Sequence, residues 1–586
     1  MIVKDPVEID RLAERCSESA VVVYDLETDG LSTFKGNQLI GVALALPHSG
    51  SKWDTFYVPF RHLVGENAPA EHLVPLLEAV LGSPGDIIGF NLKFDFHFSR
   101  AEGVKVARQP WDVMLACHLN DENEENFELK GLGSRHIDPS AADEEKKLSA
   151  LLKSRKLNKG QLALLTPEEV APYAEMDVKL TGELYRWVKP KLMQQNLWKL
   201  WGMSNDYMLA LLEMESAGMV IDEDRAFDRQ LYARTMADQI KQRMCKIAGY
   251  DFNPRSVPQL KKVLGTNGST DKKARARMAH PIAALVGEQR AWEKAYSSFY
   301  VPLLGDVGGD GRAHANFRQI GTVTGRLSCS GVNYQALPRE SDNETSQEGP
   351  YHARDLIEAP PGFSIVGADY SQIELRLLAY YTQSPFLLRV YQDDALDIHQ
   401  EMADSIRVSR DIAKRVNFGA TYGIGAEALA GLPELLSLNM TVEEAEVILR
   451  RYHKRVPEVK ELYDRAQRMA ERNGYIQMWT GRRRHYGPID EWYRAMSNLI
   501  QGGVGEIMRV SITRIWRELP ETKMFLQVHD DILSYVEDRQ ISVVVPRLKA
   551  IMEDFRFKNV PIKADVKIGK SWGKMTKWGI KEEVNS

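Results

Sequence analysis

Acidic residues at the ends of apolar runs are the feature of this sequence most able to do chemistry. In VVVYDLETDG, Asp25 and Glu27 follow three valines, and Asp95 and Asp177 stand further along the chain. Because side chains alternate along a strand, Asp25 and Glu27 should share one of its faces. A buried carboxylate is costly unless a cation compensates for its charge. The pattern therefore predicts a metal site built from carboxylate oxygens.

A second acidic set lies in the C-terminal half. Asp369 closes the apolar run IVGAD, and Asp530 and Asp531 stand inside FLQVHDDILSYV. The apolar residues alternate with others on both sides of this Asp pair, which predicts a tight hairpin with the acids at its tip. We therefore expect two separate metal-dependent active sites on one chain.

The ligand types indicate which metal the sites would hold. Hard oxygen ligands without a Cys or His cluster favour two Mg²⁺ ions per site, with Mn²⁺ as an alternative. Two such ions can activate an attacking oxygen and stabilise the leaving oxygen of a phosphodiester. The cysteines are isolated and form no CxxC pair, so neither a zinc site nor a disulfide framework is expected. They are Cys16, Cys117, Cys245 and Cys329.

A third pattern, SRDIAKRVNFGATYGIG, lies between the two parts of the second acidic set. Arg410, Lys414 and Phe418 are four residues apart and form one stripe on a helix, which Tyr422 continues. Two cations followed by two aromatic rings suit a triphosphate at one end and a stacked base at the other. Taken alone, the pattern is more typical of a salt-bridged amphipathic helix.

The chain of 586 residues is too long for one core, so two large domains or three to four smaller ones are expected. Residues 1–190 alternate strand-like and helical segments, an α/β pattern, and the chain is mostly helical from about 195. Thr166 should cap a helix, and the domain boundary should fall in RWVKPKLMQQNLWKLW, which contains Pro190. The segments DENEENFELKGLGSRH and GTNGSTDKKARAR read as loops. Later elements are expected as long helices at 371–382, 410–422, 442–473 and 491–518 and a hairpin at 524–537.

The net charge of -5 argues only weakly against nucleic-acid binding, because the basic residues are clustered. Clusters occur at 272–277 (KKARAR) and 481–485 (GRRRH). Local patches decide phosphate binding, although a patch is also compatible with a solvated surface. No apolar run is long enough for a membrane span and no signal peptide is seen, so a cytoplasmic protein is expected.

The first acidic set resembles a known family when it is taken with its neighbours. Asn91 and Asp95 occur in GFNLKFDF, and Tyr173 lies four residues before Asp177 on one helical face. The ordered motifs resemble those of DEDD-type 3′–5′ exonucleases of the Tyr variant. The resemblance implies an RNase H-like domain at 1–190. In it Asp25, Glu27, Asp95 and Asp177 hold two metal ions and Tyr173 orients the attacking water.

The second set resembles the family A DNA polymerases, the group typified by bacterial DNA polymerase I. Its motifs are DYSQIELR, R-x-x-x-K-x-x-x-F-x-x-x-YG and VHDD, with TGRLSCSGVNYQALP, GRRRHYGP, LIQGGVGEIM and VPIKADVKIGKSW as further counterparts. The resemblance covers residues 195–586 and implies a right-hand fold, so the whole chain should be a multi-domain α/β and α+β protein. The expected parts are a thumb at about 205–310, a palm at about 311–385 and 485–586, and fingers at about 386–484.

The resemblance also implies roles for single residues. Asp369, Tyr370 and Asp530 would hold two metal ions, with Asp531 beside them. Glu374 would block a 2′-hydroxyl, and Lys414 would be a catalytic residue that also holds the triphosphate. The other nucleotide contacts would be Arg410, Phe418, Tyr422, Gln372 and His399. The primer–template contacts would be Arg326, Asn333, Gln335, Arg482, Gln501 and His529.

Some residues depart from the family pattern. Asp531 replaces the usual Glu, Asp411 stands where a second Arg is common, and Ser497 replaces an Asn. No 5′-nuclease region precedes the exonuclease motifs, so degradation ahead of a nick is not expected. This compact plan resembles that of bacteriophage enzymes.

We expect a DNA polymerase with built-in proofreading that acts on primer–template DNA and deoxynucleoside triphosphates, as a monomer without membrane contact. Its role would be replication, with repair as the alternative. Two rival hypotheses are a nuclease whose helical half only binds DNA, and a DNA-binding protein that has lost its chemistry.

Overall fold

The structure is a computed structural model that describes residues 1–48, 52–106, 110–338, 353–432, 435, 438–487 and 491–579. Its buried apolar side chains form two clusters. One runs from Val3 to Leu212, and the other from Tyr207 to Trp572. Each half of the chain therefore has its own core, and the two cores meet along one helix.

The N-terminal half is built on a five-stranded sheet with the strand order β3-β2-β1-β4-β5. Strand β1 pairs antiparallel with β2 and parallel with β4, so it occupies the centre of the sheet. The strands are β1 Val21–Thr28, β2 Leu39–Pro47, β3 Trp53–Pro59, β4 Asp86–Gly89 and β5 Trp111–Asp112. The helices are α1 Pro6–Glu18, α2 Leu73–Leu81, α3 Leu92–Ala101, α4 Val113–Asn120, α5 Leu129–His136, α6 Asp143–Ser154 and α7 Pro167–Gln194.

Helix α7 starts as the sequence predicts, because Thr166 and Glu169 form a capping box at its first turn. Its end falls within the segment predicted to contain the domain boundary. The helix continues past Pro190 to Gln194, and the fully buried Leu192 anchors the last turn in the core. Packing of an apolar residue thus outweighs the hydrogen bond that proline removes.

The segment predicted to be a loop after residue 120 contains helix α5, so that prediction was wrong. Two glycines make the segment a poor helix former by propensity. A β-carbon on Gly133 would lie 2.5 Å from the Leu180 side chain of α7. The glycine therefore permits close approach of two helices, and tertiary packing overrides propensity here.

The C-terminal half has a second five-stranded sheet, with the order β14-β15-β11-β16-β17. Its strands are β11 Phe363–Tyr370, β14 Lys523–Val528, β15 Asp531–Glu537, β16 Ala564–Gly569 and β17 Thr576–Lys577. The smaller sheets use β6 Met219–Ile221, β7 Arg312–Ala313, β8 Asn316–Arg318, β9 Ser328–Ser330, β10 Ile357–Glu358, β12 Tyr475–Gln477 and β13 Arg483–His485.

The helices of this half surround the sheet. Those before it are α8 Trp198–Ala217, α9 Glu223–Ala248, α10 Val257–Leu264, α11 Lys272–Ala276, α12 Pro281–Lys294 and α13 Val301–Gly305. Those after β11 are α14 Ile373–Thr382, α15 Pro385–Gln392, α16 Ile398–Ile406, α17 Arg410–Thr421, α18 Ala426–Ala430, α19 Val442–Arg455, α20 Pro457–Asn473, α21 Ala495–Glu518 and α22 Ile541–Glu553.

Two predictions in this half are corrected. The helix expected at 442–473 is two helices, because Pro457 forces Val456 out of the helical region, to φ -131° and ψ 69°. The loop predicted around the KKARAR cluster contains the short helix α11, which the Asp271 side chain caps. Pro488, the last residue of the GRRRHYGP motif, lies outside the described residues.

The four cysteines are all free thiols in this structure. None of the helices within the described residues combines the length and the apolar composition that crossing a membrane requires.

Candidate active sites

The first acidic set converges on one site in the N-terminal half. Asp95, in the first turn of α3, accepts a hydrogen bond of 3.1 Å from the backbone N–H of Leu26, which lies between Asp25 and Glu27 on β1. These three acids line a cleft of about 950 Å³. Asp177 and Tyr173, one turn apart on α7, line the same cleft. All five residues predicted for this site are therefore together, and we call it the acidic cleft.

A buried carboxylate outside the predicted set holds the turn before α3. Asn91 precedes the helix in the left-handed region, at φ 63°. Asp112 accepts hydrogen bonds from the backbone N–H groups of Asn91, at 3.3 Å, and Leu92, at 2.8 Å. The strained turn thus aims Asp95 at β1. The sequence offers a weak signal for Asp112, as a helix cap before the apolar run VMLAC.

Burial dominates the electrostatics of the acidic cleft. It raises the pKa of Asp25 to about 7, although the Lys130 charge acts in the opposite direction. Burial and then the Asp25 charge raise the pKa of Glu27 well above its ordinary value, and the same two causes raise the pKa of Asp95. Crowded, partly dehydrated carboxylates of this kind are stabilised by bound cations.

Lys130 is a cleft residue that the sequence did not reveal, since its segment was predicted to be a loop. It stands in the first turn of α5, pairs with Asp177, and its ammonium lies 4.9 Å from the centre of the Tyr173 ring. Burial lowers the pKa of Lys130 to about 8, against the opposing effect of the Asp25 charge. One lysine cannot neutralise four carboxylates. The donor set of hard oxygens fits divalent cations such as Mg²⁺.

The second predicted site gathers around a cavity of about 500 Å³ in the C-terminal half. Most of its lining comes from residues predicted for nucleotide or DNA binding, and we call it the basic cavity. These residues are Arg326, Gln372, Glu374, His399, Arg410, Lys414, Phe418, His529 and Asp530.

Glu374 lies at the centre of a hydrogen-bond network beside the basic cavity. Arg326 donates to one of its carboxylate oxygens at 2.7 Å, and the Tyr422 hydroxyl donates to the other. The Gln501 side chain in turn bonds to Tyr422. The residue before α14 has the same backbone conformation as Asn91 before α3. Gln372 lies in the left-handed region, at φ 52°. The network holds the Glu374 carboxylate in one orientation.

Two cations of the basic cavity, Arg410 and Lys414, are exposed. Arg410 makes a two-pronged pair with Asp397, with distances of 2.8 and 3.2 Å. Lys414 is exposed one turn further along α17. His399 accepts a hydrogen bond of 3.0 Å from the Asn417 amide, and its ring lies 5.8 Å from that of Phe418. Positive groups and an aromatic ring thus face the same space, as the stripe on α17 predicts.

The carboxylates of the second acidic set are divided between two neighbouring cavities. Asp369 on β11 faces Asp531 on β15 in register, and both line a cavity of about 390 Å³ with Asp565. Asp530 lies in the hairpin turn and lines the basic cavity. The backbone N–H of Tyr370 donates to the Asp530 carbonyl at 3.1 Å, which joins the two positions.

The Tyr370 side chain does not face either cavity. Its hydroxyl lies 2.6 Å from the Ser511 hydroxyl and donates to the Met552 carbonyl at 2.8 Å, inside the core. The predicted metal contact can therefore involve only the Tyr370 backbone.

The predicted primer–template contacts divide into two groups. Arg326, Asn333, Gln335 and His529 line a third cavity of about 580 Å³, which shares Asp530 with the basic cavity, and we call it the central cavity. Arg482 is different, because its side chain is only 7% exposed and its Nε donates to Glu506 at 2.6 Å. A DNA contact by Arg482 remains a prediction that this conformation does not favour.

Glu506 is the centre of a buried cluster that the sequence did not reveal. Arg509 also donates to it, at 3.2 Å, and so does the Thr480 hydroxyl, at 2.7 Å. Arg509 further donates to the Gln319 side chain at 2.8 Å and to the Gly325 carbonyl at 3.2 Å. The cluster thus ties α21 to the segment that carries Arg326.

The remaining arginines of the GRRRH cluster also contact protein. Arg483 donates to the Gln195 side chain at 3.1 Å, and Arg484 donates to Glu122 at 2.9 Å. Glu122 lies with Asp121 and His485 in an arrangement that could hold a cation, but Arg484 already supplies positive charge there. The hairpin of β12 and β13 therefore forms hydrogen bonds with Gln195 and Glu122 and so links the two halves of the chain.

Comparisons with known proteins agree with this geometry. The sequence matches the 3'-5' exonuclease family over residues 1–193 and DNA polymerase family A over residues 226–574. DNA polymerase I of Treponema pallidum is 27% identical over 652 residues, covering 97% of this chain and 62% of the relative. DNA polymerase I of Caldicellulosiruptor bescii is 27% identical over 536 residues, covering 85% of this chain and 59% of the relative.

This chain thus spans about three fifths of the length of these relatives. Among solved structures, the POL domain of Pol1 from M. smegmatis, in complex with DNA primer-template and dNTP, has a TM-score of 0.80 and 21% sequence identity. The superposition covers 98% of this chain and 99% of that chain, so the two share a fold. Since the polymerase match takes in more than half of the residues, this chain belongs to DNA polymerase family A and carries a 3′–5′ exonuclease domain at residues 1–193.

Proposed function

We propose that this protein synthesises DNA on a template from deoxynucleoside triphosphates and removes misincorporated nucleotides from the primer 3′ end. The observation that carries the proposal is the convergence on the basic cavity of residues from four distant segments. Arg326, Glu374, Lys414 and Asp530 line that one cavity. The complex of the M. smegmatis relative with DNA primer-template and dNTP supports the same assignment.

In the synthetic reaction, the basic cavity would take the incoming nucleotide. Arg410 and Lys414 present positive charge to the triphosphate, and Phe418 offers an aromatic face to the base. Arg326 and Tyr422 hold the Glu374 carboxylate. We assign to Glu374 the exclusion of a 2′-hydroxyl. Asp369 and Asp530 would hold two Mg²⁺ ions, which supply charge stabilisation for phosphoryl transfer.

In the removal reaction, the acidic cleft would take the frayed primer end. Asp25, Glu27, Asp95 and Asp177 would hold two Mg²⁺ ions, which lower the pKa of a bound water. The Tyr173 hydroxyl, which lines the same cleft, would orient that water. Lys130 adds a cation beside Asp177 and so reduces the repulsion between the carboxylates and the phosphodiester.

The assignment of domains follows from these roles. We assign residues 1–190 to proofreading, and residues 195–586 to a thumb, palm and fingers with the limits predicted from the sequence. We further propose a monomeric cytoplasmic enzyme of a bacterium or of a phage-infected cell, since its four thiols are unpaired. Replication is the favoured role and repair is the alternative.

Primer extension and primer degradation, measured separately, test the proposal. Asp530→Ala or Asp369→Ala should lower nucleotide addition by at least about a thousandfold, since metal-borne charge stabilisation is worth several kcal/mol. Both variants should still degrade single-stranded primers. Asp25→Ala combined with Glu27→Ala should have the reverse effect.

Asp538→Ala is the matched control, because Asp538 follows the same strand as Asp531 at the end away from the hairpin turn, paired with Lys570 at 2.7 Å. It should leave both reactions at the wild-type rate. Normal extension by the Asp530→Ala and Asp369→Ala variants would refute the polymerase assignment. Normal degradation by the Asp25→Ala/Glu27→Ala variant would refute the exonuclease assignment.

A further inference from the structure

We propose that Lys567 and Lys577, which we call the lysine pair, bind a backbone phosphate of the primer strand a short distance behind its 3′ end. The inference rests on the proposed synthetic function. It adds a DNA contact outside the residues predicted from the sequence, on the two strands at one edge of the C-terminal sheet.

The lysine pair stands on the same face of the sheet as carboxylates of the second acidic set. Lys567 on β16 lies in register with Gly367 on β11, and Asp565, two residues earlier, lies in register with Asp369. Alternate residues of a strand share a face. Lys577 on β17 lies opposite Lys567. All five residues line the cavity of about 390 Å³ described above, which we call the Asp369 cavity.

The lysine pair carries more positive charge than its neighbours neutralise. Side chains directly opposite each other on antiparallel strands lie close together, and like charges in such positions repel. Lys577 pairs with Asp565 at 3.0 Å, and both side chains are exposed. Lys567 is exposed as well, and its side chain has no ion pair or hydrogen bond within the residues that the structure describes. An anion bound between the two lysines would remove the repulsion.

The surroundings of the Asp369 cavity indicate which anion this is. Arg354 lines both this cavity and the central cavity. Its guanidinium donates to the Leu337 carbonyl at 2.7 and 2.9 Å and lies 4.2 Å from the centre of the Trp572 ring, so its positive charge is fixed between the two cavities. The central cavity contains most of the predicted primer–template contacts. DNA bound there would therefore continue towards the lysine pair.

The triphosphate of an incoming nucleotide fits the lysine pair less well. Arg410 and Lys414, which would hold the triphosphate, line the basic cavity. Among the described lining residues, the basic cavity and the Asp369 cavity have none in common. The geometry therefore favours a phosphodiester of the primer strand.

The spacing along the sheet indicates how far from the 3′ end this phosphate lies. Lys567 is level with Gly367, two residues before Asp369 on β11. Two residues of a strand span about 7 Å. The phosphates of one DNA strand follow one another at about 3.4 Å along the helix axis. The phosphate that reaches the lysine pair should thus lie about two nucleotides behind the primer terminus.

Binding of a labelled primer–template measures the contact. In the Asp25→Ala/Glu27→Ala background with EDTA present, the full chain holds DNA without degrading it, and fluorescence anisotropy gives the affinity. Lys567→Gln should weaken binding about three- to tenfold, the range for one exposed charge-assisted contact. The slope of log affinity against log salt should fall by about 0.9, the value for one phosphate contact on duplex DNA.

Lys574→Gln is the matched control. Lys574 is an exposed lysine of the same C-terminal segment and does not line the Asp369 cavity, so both variants lose one positive charge from the same part of the surface. Its affinity and salt dependence should equal those of the unsubstituted background. Lys577→Gln should weaken binding in the same way as Lys567→Gln.

A neutral linkage locates the phosphate. A single methylphosphonate, placed at successive positions of the primer, removes one phosphate charge at a time. Near the second nucleotide from the 3′ end it should weaken binding to the unsubstituted background. The same linkage should have no further effect on Lys567→Gln or Lys577→Gln, because the contact is already lost. Neutral linkages in the template strand should affect all of these proteins equally.

Steady-state extension separates DNA binding from chemistry. Lys567→Gln should raise KM for the primer–template and leave kcat and the KM for the nucleotide unchanged. Degradation of a single-stranded oligonucleotide, measured with the acidic cleft intact, should proceed at the wild-type rate.

Three results would overturn the inference. They are equal affinities for Lys567→Gln and Lys574→Gln, undiminished sensitivity of Lys567→Gln to every primer methylphosphonate, and a raised KM for the nucleotide in place of the primer–template. The last result would assign the lysine pair to the triphosphate. A wild-type protein that adds no nucleotide would instead refute the proposed synthesis, and the anisotropy measurement would still decide whether Lys567 contacts the primer strand.

Discussion

The acidic cleft and the basic cavity hold their charges in opposite ways. In the cleft, Asp25, Glu27 and Asp95 come from β1 and the first turn of the helix that follows the neighbouring strand, and burial raises the pKa of each. In the basic cavity, Arg410 and Lys414 are exposed, and the carboxylates divide between that cavity and its neighbour. The charged side chains of the acidic cleft are therefore destabilised by burial, whereas Arg410 and Lys414 in the basic cavity remain in contact with solvent.

The same local device appears in both sites. A strand ends, one residue adopts the left-handed region, and a helix begins that carries an acid in its first turn. Asn91 takes this position before Asp95, and Gln372 takes it before Glu374. The two sites therefore differ in what surrounds the acids, and not in how the backbone presents them.

The largest expected effect on stability comes from the buried cluster around Glu506. Glu506→Gln should lower the free energy of unfolding by about 3–5 kcal/mol, because it leaves Arg482 and Arg509 buried without their counter-charge. Chemical denaturation of the full chain, wild type against variant, measures this loss in free energy of unfolding. The rate of the Asp25-dependent degradation should change much less than the stability, since the described hydrogen-bond partners of Glu506 are Thr480, Arg482 and Arg509, none of which lines the acidic cleft.

The pH dependence of the same variant has a definite sign. Burial alone would raise the pKa of Glu506, but the Arg482 and Arg509 charges outweigh it and lower the pKa to about 2. A lowered carboxyl pKa gives stability that is present above the unfolded value of 4.5 and is lost as the pH falls towards 2. The gap between wild type and Glu506→Gln should therefore narrow below pH 4.5, and a gap that stays constant there would contradict the predicted linkage.

These contacts also mark what the sequence could predict. The acids of both sites lie in short motifs whose strand and helix context is local, so their positions follow from the sequence. Lys130 was missed because its helix has poor propensity and forms through packing against Leu180. The Arg482–Glu506 and Lys93–Glu215 pairs join residues that are distant in the sequence and come together only when the chain folds. No sequence pattern signals such partners, and so Arg482 was predicted to contact DNA.

A smaller effect tests the strain stored in the acidic cleft. At pH 8 and in EDTA, Asp25→Asn should raise the free energy of unfolding by about 1–3 kcal/mol, because it removes a charge that burial disfavours. Asp530→Asn, in the hairpin turn where the side chain is only half-buried, should change it by less than about 0.5 kcal/mol. Added Mg²⁺ should reduce the advantage of Asp25→Asn, since bound cations stabilise the wild-type carboxylates.

Equal stabilisation by Asp25→Asn and Asp530→Asn would contradict the inference that burial disfavours the carboxylate charge in the acidic cleft more than at the hairpin turn. Loss of stability in Asp25→Asn would show that Lys130 compensates for the cleft carboxylates more fully than their raised pKa values indicate. Urea denaturation followed by tryptophan fluorescence distinguishes these outcomes, since Trp111 and Trp201 pack within the N-terminal core.

The smallest expected effect concerns the exposed Arg410 of the basic cavity and its ion pair with Asp397. Asp397 pairs with Arg410 at the mouth of the basic cavity, where the side chains are 38% and 49% exposed. The triphosphate has to compete with Asp397 for this guanidinium, so Asp397→Asn should lower KM for the nucleotide. An exposed pair is worth at most about 1 kcal/mol, which limits the change to about two- to fivefold.

Asp397→Asn removes the negative charge of Asp397 and keeps its role as a helix cap. Asp397 also caps α16 by accepting from the Gln400 N–H at 2.8 Å, and asparagine caps a helix about as well. Asp404→Asn on the same helix is the control, because Asp404 accepts from Gln400 at 2.8 Å and does not line the basic cavity. Steady-state extension at varied nucleotide concentration should show a lower KM with unchanged kcat for Asp397→Asn only. A raised KM would mean that Asp397 orients Arg410 for the triphosphate, and the basic cavity would then be preorganised like the acidic cleft.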